Sequence, residues 1–234
     1  MKIFRKGFNY SQDGPGNRLV FHLQGCNFRC KWCSNPESMG DTCPACASYT
    51  VDELADEARR SALMFFDGGG VTLTGGEPTV QFGETAALLR LLKEQGIHTA
   101  IETNGSHPAL PELLPDIDFL IMDFKHFDEE RHRFWTGVSG WSVRENLEQI
   151  SRAGRQALIR IPVINGVNVD PVGFAEYFET LDCGALTFEF LAYHEFGKDK
   201  WARPYEIADG FVSDADMAWF RRTFQERGLR VTET

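Results

Sequence analysis

No run of this sequence stays apolar for the ~20 residues that crossing a bilayer requires. The amino-terminal MKIFRKGFNY lacks the sustained apolar stretch of a secretory signal. A cytoplasmic protein with no membrane partner is therefore expected. Positive charge is also in deficit: 24 Lys and Arg stand against 34 Asp and Glu, a formal net charge of −10. A nucleic-acid binder presents a basic stripe instead, so no nucleic-acid partner is expected. Arg59-Arg60 and Arg221-Arg222 fall in helical patterns and read as solvated faces. Low-complexity linkers, fixed-period repeats and long charge blocks are missing as well, and a single domain over 1–234 is the expectation. Cysteine is scarce but not scattered. Of six, five lie between residues 26 and 46 and only Cys183 is remote. In a chain with no secretory features, that bunching points away from disulfides and toward metal or redox chemistry.

What is present is an alternation of short apolar runs with amphipathic stretches. Strands are predicted at 19–23, 71–74, 99–102, 119–122, 157–162 and 186–191, and helices near 51–66, 83–95, 142–153, 171–181 and 214–227. Thr50 with Glu53, and Ser142 with Glu145, fit capping boxes. Asp170-Pro171 reads as an N-cap followed by proline at the first helical position, and Gly96 and Gly154 mark helix ends. Strands separated by helices imply right-handed crossovers and a parallel sheet. Six strands favour an α/β fold built as a partial (β/α)6 barrel over a closed eight-stranded one, although a doubly wound sheet fits the same pattern. Either way the site lies beyond the carboxyl ends of the strands. The chemically interesting residues fall there: the cysteine loop, Gly75-Gly76-Glu77, Thr103-Asn104-Gly105, Asp123 with Lys125, Asn165 with Asn168, and His194 follow the six strands in turn.

The loop over 24–37 holds Cys26, Cys30 and Cys33 at intervals of four and three residues. Three thiolates at that pitch can face one cubane cluster, and a four-iron cluster normally takes four cysteines. Three ligands without a fourth leave one iron open, as a catalytic metal needs. The plainer readings are buried thiols or zinc, since Cys30 and Cys33 with Cys43 and Cys46 could by spacing form a zinc ribbon. Elsewhere too, ordinary explanations stand beside the functional ones. Gly75-Gly76-Glu77 could be a turn or a place where backbone approaches a ligand. Asp123 and Lys125 could be a surface ion pair, or the acceptor for an ammonium and the donor to a carboxylate. His194 could be a satisfied histidine.

Cys26-x3-Cys30-x2-Cys33, with Trp32 before the last cysteine, resembles the signature of the radical S-adenosylmethionine (radical SAM) superfamily. The resemblance implies a [4Fe–4S] cluster on Cys26, Cys30 and Cys33. Its open iron would be chelated by S-adenosylmethionine, whose one-electron cleavage releases a 5′-deoxyadenosyl radical. Further segments resemble the activating enzymes of glycyl radical enzymes, the pyruvate formate-lyase activating type. They run in motif order from about residue 10 to 201. Asp13-Gly14-Pro15-Gly16, followed by Asn17-Arg18, is similar to the amino-terminal motif tied to the partner's glycine loop. Asn35-Pro36-Glu37 closes the cluster loop, and Gly75-Gly76-Glu77-Pro78 resembles the motif that meets the methionyl amino group. Glu102 and Asp123-Phe124-Lys125 match positions near the methionyl end and a small-cation (monovalent) site. Arg160, Pro162 and Asn168 fit the next motif, and Tyr193–Lys198 the last, whose histidine, here His194, contacts the cofactor. On this resemblance Asp123 and Lys125 are the candidate catalytic pair. Trp32, Gly75, Gly76, Glu77, Glu102, Asp123, Lys125, Arg160, Asn168 and His194 would line the cofactor site, and Asp13, Gly14 and Gly16 would face the partner.

The implied activity is abstraction of a glycine Cα hydrogen from a partner glycyl radical enzyme, with a flavodoxin- or ferredoxin-type electron donor and a monomeric enzyme. The sequence departs from many such enzymes in one place. In the segment 38–49 only Cys43 and Cys46 stand where a ferredoxin-like insert with two cluster motifs is common, so no auxiliary cluster is expected within the chain. Cys183 reads as a buried structural thiol. The rival readings are a small-molecule radical enzyme, similar to 7-carboxy-7-deazaguanine synthase, and a non-catalytic cluster- or zinc-binding protein.

Overall fold

A computed structural model of the protein describes residues 1–232. Eight strands form one open sheet: β1 (Lys2–Tyr10), β2 (Asn17–Leu23), β3 (Ala47–Ser48), β4 (Gly70–Gly75), β5 (Thr99–Thr103), β6 (Phe119–Asp123), β7 (Ala157–Val163) and β8 (Leu186–Ala192). Their order is β3-β1-β2-β4-β5-β6-β7-β8. The six strands read from the sequence are all present, and they make a parallel-dominated α/β sheet of the partial-barrel kind. Pairs β2·β4, β4·β5 and β7·β8 run parallel.

The two additional strands are antiparallel: β1 pairs with β2 on one side and with the two-residue β3 on the other. Residues 2–10 hide from a pattern search because only Ile3 and Phe4 are buried, so no apolar alternation develops. What holds β1 is the hairpin to β2, with β3 pairing only Lys2 and Ile3 on its other side, and an antiparallel strand needs no second buried face.

The chain folds as two compact units, Met1–Asn27 with Glu37–Thr103 and Ala109–Ile121, and Phe28–Pro36 with Asn104–Pro108 and the described residues from Met122 on. In the first, α1 (Val51–Arg60) and α2 (Phe82–Glu94) bury Leu54, Ala58, Leu88 and Leu92. The Thr50–Glu53 capping box forms as expected. The helix ends at Arg60 rather than 66, passing into a single 3-10 turn over Ala62–Met64. Four-residue α3 (Leu110–Leu113) completes this unit's helices.

In the second unit, α4 (Glu129–Thr136), α5 (Trp141–Arg152), α6 (Pro171–Glu179) and α7 (Asp214–Glu226) surround an aromatic core. Phe178 meets Phe188 at 4.5 Å, Phe190 meets Phe224 at 4.8 Å, and Phe124 meets Phe178 at 5.1 Å. Asp170 caps α6 through Gly173 N–H, with Pro171 at the first position. Ser142 and Glu145 do not form the expected box: α5 starts one residue earlier at Trp141, with Gly140 at the cap, and Ser142 lies inside the helix. Gly96 and Gly154 take the left-handed conformation expected where a helix stops. Unread from sequence, α4 buries only His132 and Thr136. It is set by its ends, with Asp128 capping one and left-handed Gly137 the other. Among the described residues, no helix is long and apolar enough to cross a membrane.

Candidate functional site

In the first unit, β2 ends at Leu23 and leads into Gln24-Gly25-Cys26. Gln24 is buried, and its amide donates to the carbonyls of Glu37 (3.0 Å) and Gly40 (2.8 Å). Gly25 N–H donates to Ser38 O, so the turn carrying Cys26 is braced by residues 37–40. The neighbouring strand β4 ends in Gly75-Gly76, and successive backbone N–H groups there lock onto the same turn: Gly76 N–H donates to Leu23 O and Glu77 N–H to Gly25 O. A Cβ on Gly75 would strike the Leu23 backbone, and one on Gly76 the Gly25 carbonyl. These glycines are thus required by backbone meeting backbone, which fixes the strand end beside Cys26.

Glu77 is 1% exposed. Its Oε1 accepts from Thr79 N–H (3.0 Å), Thr79 Oγ1 (2.6 Å) and Thr103 Oγ1 (2.7 Å), tying the ends of β4 and β5 together. Glu102 accepts from Thr74 Oγ1 at 2.8 Å. Both carboxylates stand at the carboxyl ends of parallel strands, where a ligand site is expected.

Asp13–Gly16 lies at the other end. Tyr10 pairs with Asn17, so residues 11–16 close the hairpin at the amino end of β2, about 20 Å of strand from Cys26. Asp13 accepts from the Asn9 amide, and its carbonyl accepts from Thr72 Oγ1 at 2.7 Å. Gly14 and Gly16 have positive φ, and a Cβ on Gly16 would collide with the Phe66 and Asp67 carbonyls. Fully buried Arg18 closes the loop, donating to Thr72 Oγ1 (2.6 Å), Val71 O (2.7 Å) and Pro15 O (3.1 Å). Burial lowers the pKa of its guanidinium to about 10, opposed by the Asp13 and Asp118 charges, and it stays protonated at neutral pH.

In the second unit, the segment bearing Cys30 and Cys33 runs beside the end of α4: Arg29 N–H donates to Thr136 O (2.7 Å) and Lys31 N–H to Trp135 O (3.1 Å). Buried Phe28 meets His132 edge-on, and Trp32 packs at 6.4 Å from Trp135. Cys33 N–H bonds Cys30 O in a tight turn, and Asn35 N–H points at Cys33 Sγ (3.4 Å). The chain after β8 supports this loop from outside. Trp201 Nε1 donates to Cys33 O (3.1 Å), Lys200 Nζ to Ser34 O (3.0 Å), and Gly197 sits where any Cβ would strike the Ser34 backbone. Sequence reasoning reached Gly197 only as part of a motif and missed Lys200 and Trp201, because contacts 166 and 168 residues apart leave no local signal.

Asp123 and Lys125 flank buried Phe124, so alternation puts both on one side of the strand end. Their side chains pair at 2.7 Å, with only 25% and 11% of each exposed. Far from a loose surface contact, the pair is largely enclosed.

Asn168 is buried and spends itself on backbone, donating to Pro162 O (2.6 Å) and Lys125 O (3.1 Å) and accepting from Ile164 N–H (2.8 Å). It joins the loops after β6 and β7 and thereby positions Lys125. Arg160 pairs with Glu189 directly across β7 and β8, both buried. His194 is exposed, stacks on Phe196 at 4.2 Å, and has its pKa lowered by partial burial, which favours the neutral imidazole. Its Nδ1 accepts from Phe196 N–H at 3.4 Å.

Residues 20–178 match the Radical SAM superfamily model. This chain belongs to the radical SAM superfamily. Pyruvate formate-lyase-activating enzyme of Streptococcus mutans is 33% identical over 241 aligned positions, covering 94% of this chain and 91% of that protein. That likeness sets the chain among the superfamily's activating enzymes, which use a [4Fe–4S] cluster and S-adenosylmethionine. The 4-hydroxyphenylacetate decarboxylase activating enzyme of Clostridioides difficile is 28% identical across 93% of this chain and 90% of its own. Its alignment runs to 286 positions, longer than the 234 residues here, so it carries segments this chain lacks. A domain of pyruvate-formate lyase-activating enzyme from Bacteroides vulgatus superposes with TM-score 0.60 at 27% identity, over 70% of this chain and 98% of that one.

The residues present fit such a cluster. No cysteine among the described residues is in a disulfide, and Cys33 Sγ already faces a backbone N–H of the kind that tunes cluster sulfur. Among the described residues no three His, Cys, Asp or Glu side chains gather tightly around one ion. A cubane asks for something different, one thiolate on each of three separate irons.

Proposed function

We propose that this chain activates a glycyl radical enzyme by abstracting a hydrogen from the Cα of one glycine of that partner. What supports the reading most directly is its likeness to an activating enzyme across 94% of its length. A cluster held by Cys26, Cys30 and Cys33 would supply the one-electron reductive cleavage of S-adenosylmethionine that such hydrogen abstraction requires.

The chain's own contribution is to hold and orient. Cys26, Cys30 and Cys33 are the cluster's three protein ligands, with Trp32 walling the loop. Gly75 and Gly76 fix the strand end beside Cys26, and Glu77 and Glu102 place negative charge at the ends of β4 and β5 for the methionyl ammonium. Lys125, held by Asp123, offers its Nζ to the methionyl carboxylate as a charge-assisted donor. Asn168 keeps Lys125 in place, and Arg160 and His194 are the remaining candidate contacts to the cofactor. Asp13, Gly14 and Gly16, at the opposite strand ends, belong to an outlying contact with the protein partner. The electron comes from a flavodoxin- or ferredoxin-type donor, and the enzyme works as a monomer in the cytoplasm.

The test is to incubate the reduced, cluster-loaded protein anaerobically with S-adenosylmethionine and a glycyl radical enzyme. The expected result is 5′-deoxyadenosine together with a protein-borne glycyl radical detected by electron paramagnetic resonance. Cofactor cleavage with no radical on any such partner would instead favour a small-molecule radical enzyme.

A further inference from the structure

The turn Cys43-Pro44-Ala45-Cys46 takes no part in the site above, and its thiols are not paired. We propose that Cys43 and Cys46 are a thiol–disulfide site, closing reversibly into an intrachain disulfide that is separate from the cluster cysteines. The geometry that points to it is the turn. Cys46 N–H donates to Cys43 O at 3.0 Å, which closes a four-residue turn over Pro44-Ala45. Such turns hold their outer Cα atoms within about 7 Å, and a disulfide spans about 4.4–6.8 Å between Cα atoms. Pro44, second in the turn, fixes its own φ and keeps the thiols near one another without the bond.

The flanks are anchored on both sides. Before the turn, Gly40 O accepts from Gln24, and Asp41 O accepts from Lys2 Nζ at 3.1 Å. After it, β3 pairs with Lys2 and Ile3, and Tyr49 N–H donates to Met1 O. Closing the bond therefore needs adjustment within the turn alone.

Both thiols are half-exposed, so a small disulfide can reach them. Cys183 is half-exposed too, not buried as expected from sequence, but it differs in its surroundings: its Sγ donates to Phe178 O at 3.2 Å, and partial burial pushes its thiol up to about 11. A thiol so disposed reacts poorly, because the thiolate is the nucleophile. The proposed step is two exchanges. One thiolate attacks a low-molecular-weight disulfide, expelling a thiolate and leaving a mixed disulfide. The second cysteine then attacks that bond, releasing the other small thiol. Both cysteines are oxidised, one small disulfide is reduced to two thiols, and the two cysteine protons leave with them or to solvent. With only two residues inside the loop and the site exposed, the bond belongs to the readily reducible kind.

The experiment treats the cluster-loaded protein anaerobically with oxidised glutathione, blocks remaining thiols with a maleimide under denaturing conditions, and maps the peptides by mass spectrometry. The expected result is a Cys43–Cys46 bond and a roughly tenfold loss of labelling at both positions, restored by dithiothreitol, with iron content unchanged. Cys43→Ser should then trap a stable glutathione adduct on Cys46, since no second thiol is left to expel it. Three results would overturn the proposal: an unresolved glutathione adduct accumulating on the native chain, no reaction at either thiol, or protection of both by stoichiometric zinc.

Discussion

At the scale of single residues, the enclosed Asp123–Lys125 pair shows how a site can be half legible. Alternation about Phe124 puts the two side chains together, and sequence gives that much. Only the fold shows the pair enclosed and Lys125 tethered through the amide of Asn168. Lys125→Ala should weaken S-adenosylmethionine binding about 10- to 100-fold, the worth of one hydrogen bond to a charged group, while iron content stays constant. Titration calorimetry that finds the affinity unchanged would remove Lys125 from the cofactor site.

His126, next in sequence, is 3% exposed, and its Nδ1 accepts from Asp128 N–H at 3.0 Å. Burial, with Arg131 acting in the same direction, lowers its pKa from 6.5 to about 4. The folded protein keeps this ring neutral while the unfolded chain takes up a proton below pH 6.5. Stability is therefore full above that pH and declines as pH falls toward about 4, by a few kcal/mol at most. His126→Asn, which retains an acceptor near the same place, should flatten that decline in urea unfolding followed between pH 7 and 4. Equal slopes for the two proteins would refute the assignment.

Among elements, the supports of the cluster loop are the features least visible in sequence. The loop's backbone is held by the end of α4 on one side and by Gly197, Lys200 and Trp201 on the other. Helix α4 has no apolar stripe to announce it, and β1 has no alternation, because each is fixed by its ends or its partner strand rather than by a buried face. A methyl group at Gly197 must displace the Ser34 backbone, at a cost of about 1–3 kcal/mol for overpacking. Gly197→Ala should leave the fold's circular dichroism unchanged and speed iron loss to a chelator about tenfold, which corresponds to roughly 1.4 kcal/mol. Iron retained at the native rate would show that this contact does not support the loop. Trp201→Phe keeps the ring but loses the bond to Cys33 O, and its effect on iron retention should be smaller and in the same direction.

For the whole molecule, the separation of Asp13–Gly16 from Cys26 by the length of β2 makes a distinct expectation. Chemistry at the strands' carboxyl ends and partner contact at their amino ends should be separable by mutation. Asp13→Ala, made beside the Gly16 turn rather than in it, should preserve 5′-deoxyadenosine formation while lowering the glycyl radical on the partner at least tenfold, by weakening docking. A fall in both would place Asp13 in support of the cofactor site. If neither changed, the loop would have only the structural part that Arg18 and Thr72 already give it.

Local chemistry in the sequence was enough to determine the six strands of the parallel-dominated sheet, the start of α1 at Thr50 and of α6 at Asp170, and the three-thiol loop. Strand periodicity, caps and ligand spacing are all set by residues within a few positions of one another. The superfamily follows from the same kind of local signal, the cysteine spacing with Trp32. Tertiary structure alone decided that Gly75 and Gly76 serve a backbone-to-backbone contact, that the Asn168 amide donates to Lys125 O, that Asp13–Gly16 lies at the far end of β2, and that residues near 200 brace Cys33. Each of these depends on which distant segments share a strand end or a wall. Such proximity is set by the sheet order and the packing of both units' cores, and no short stretch of sequence encodes it.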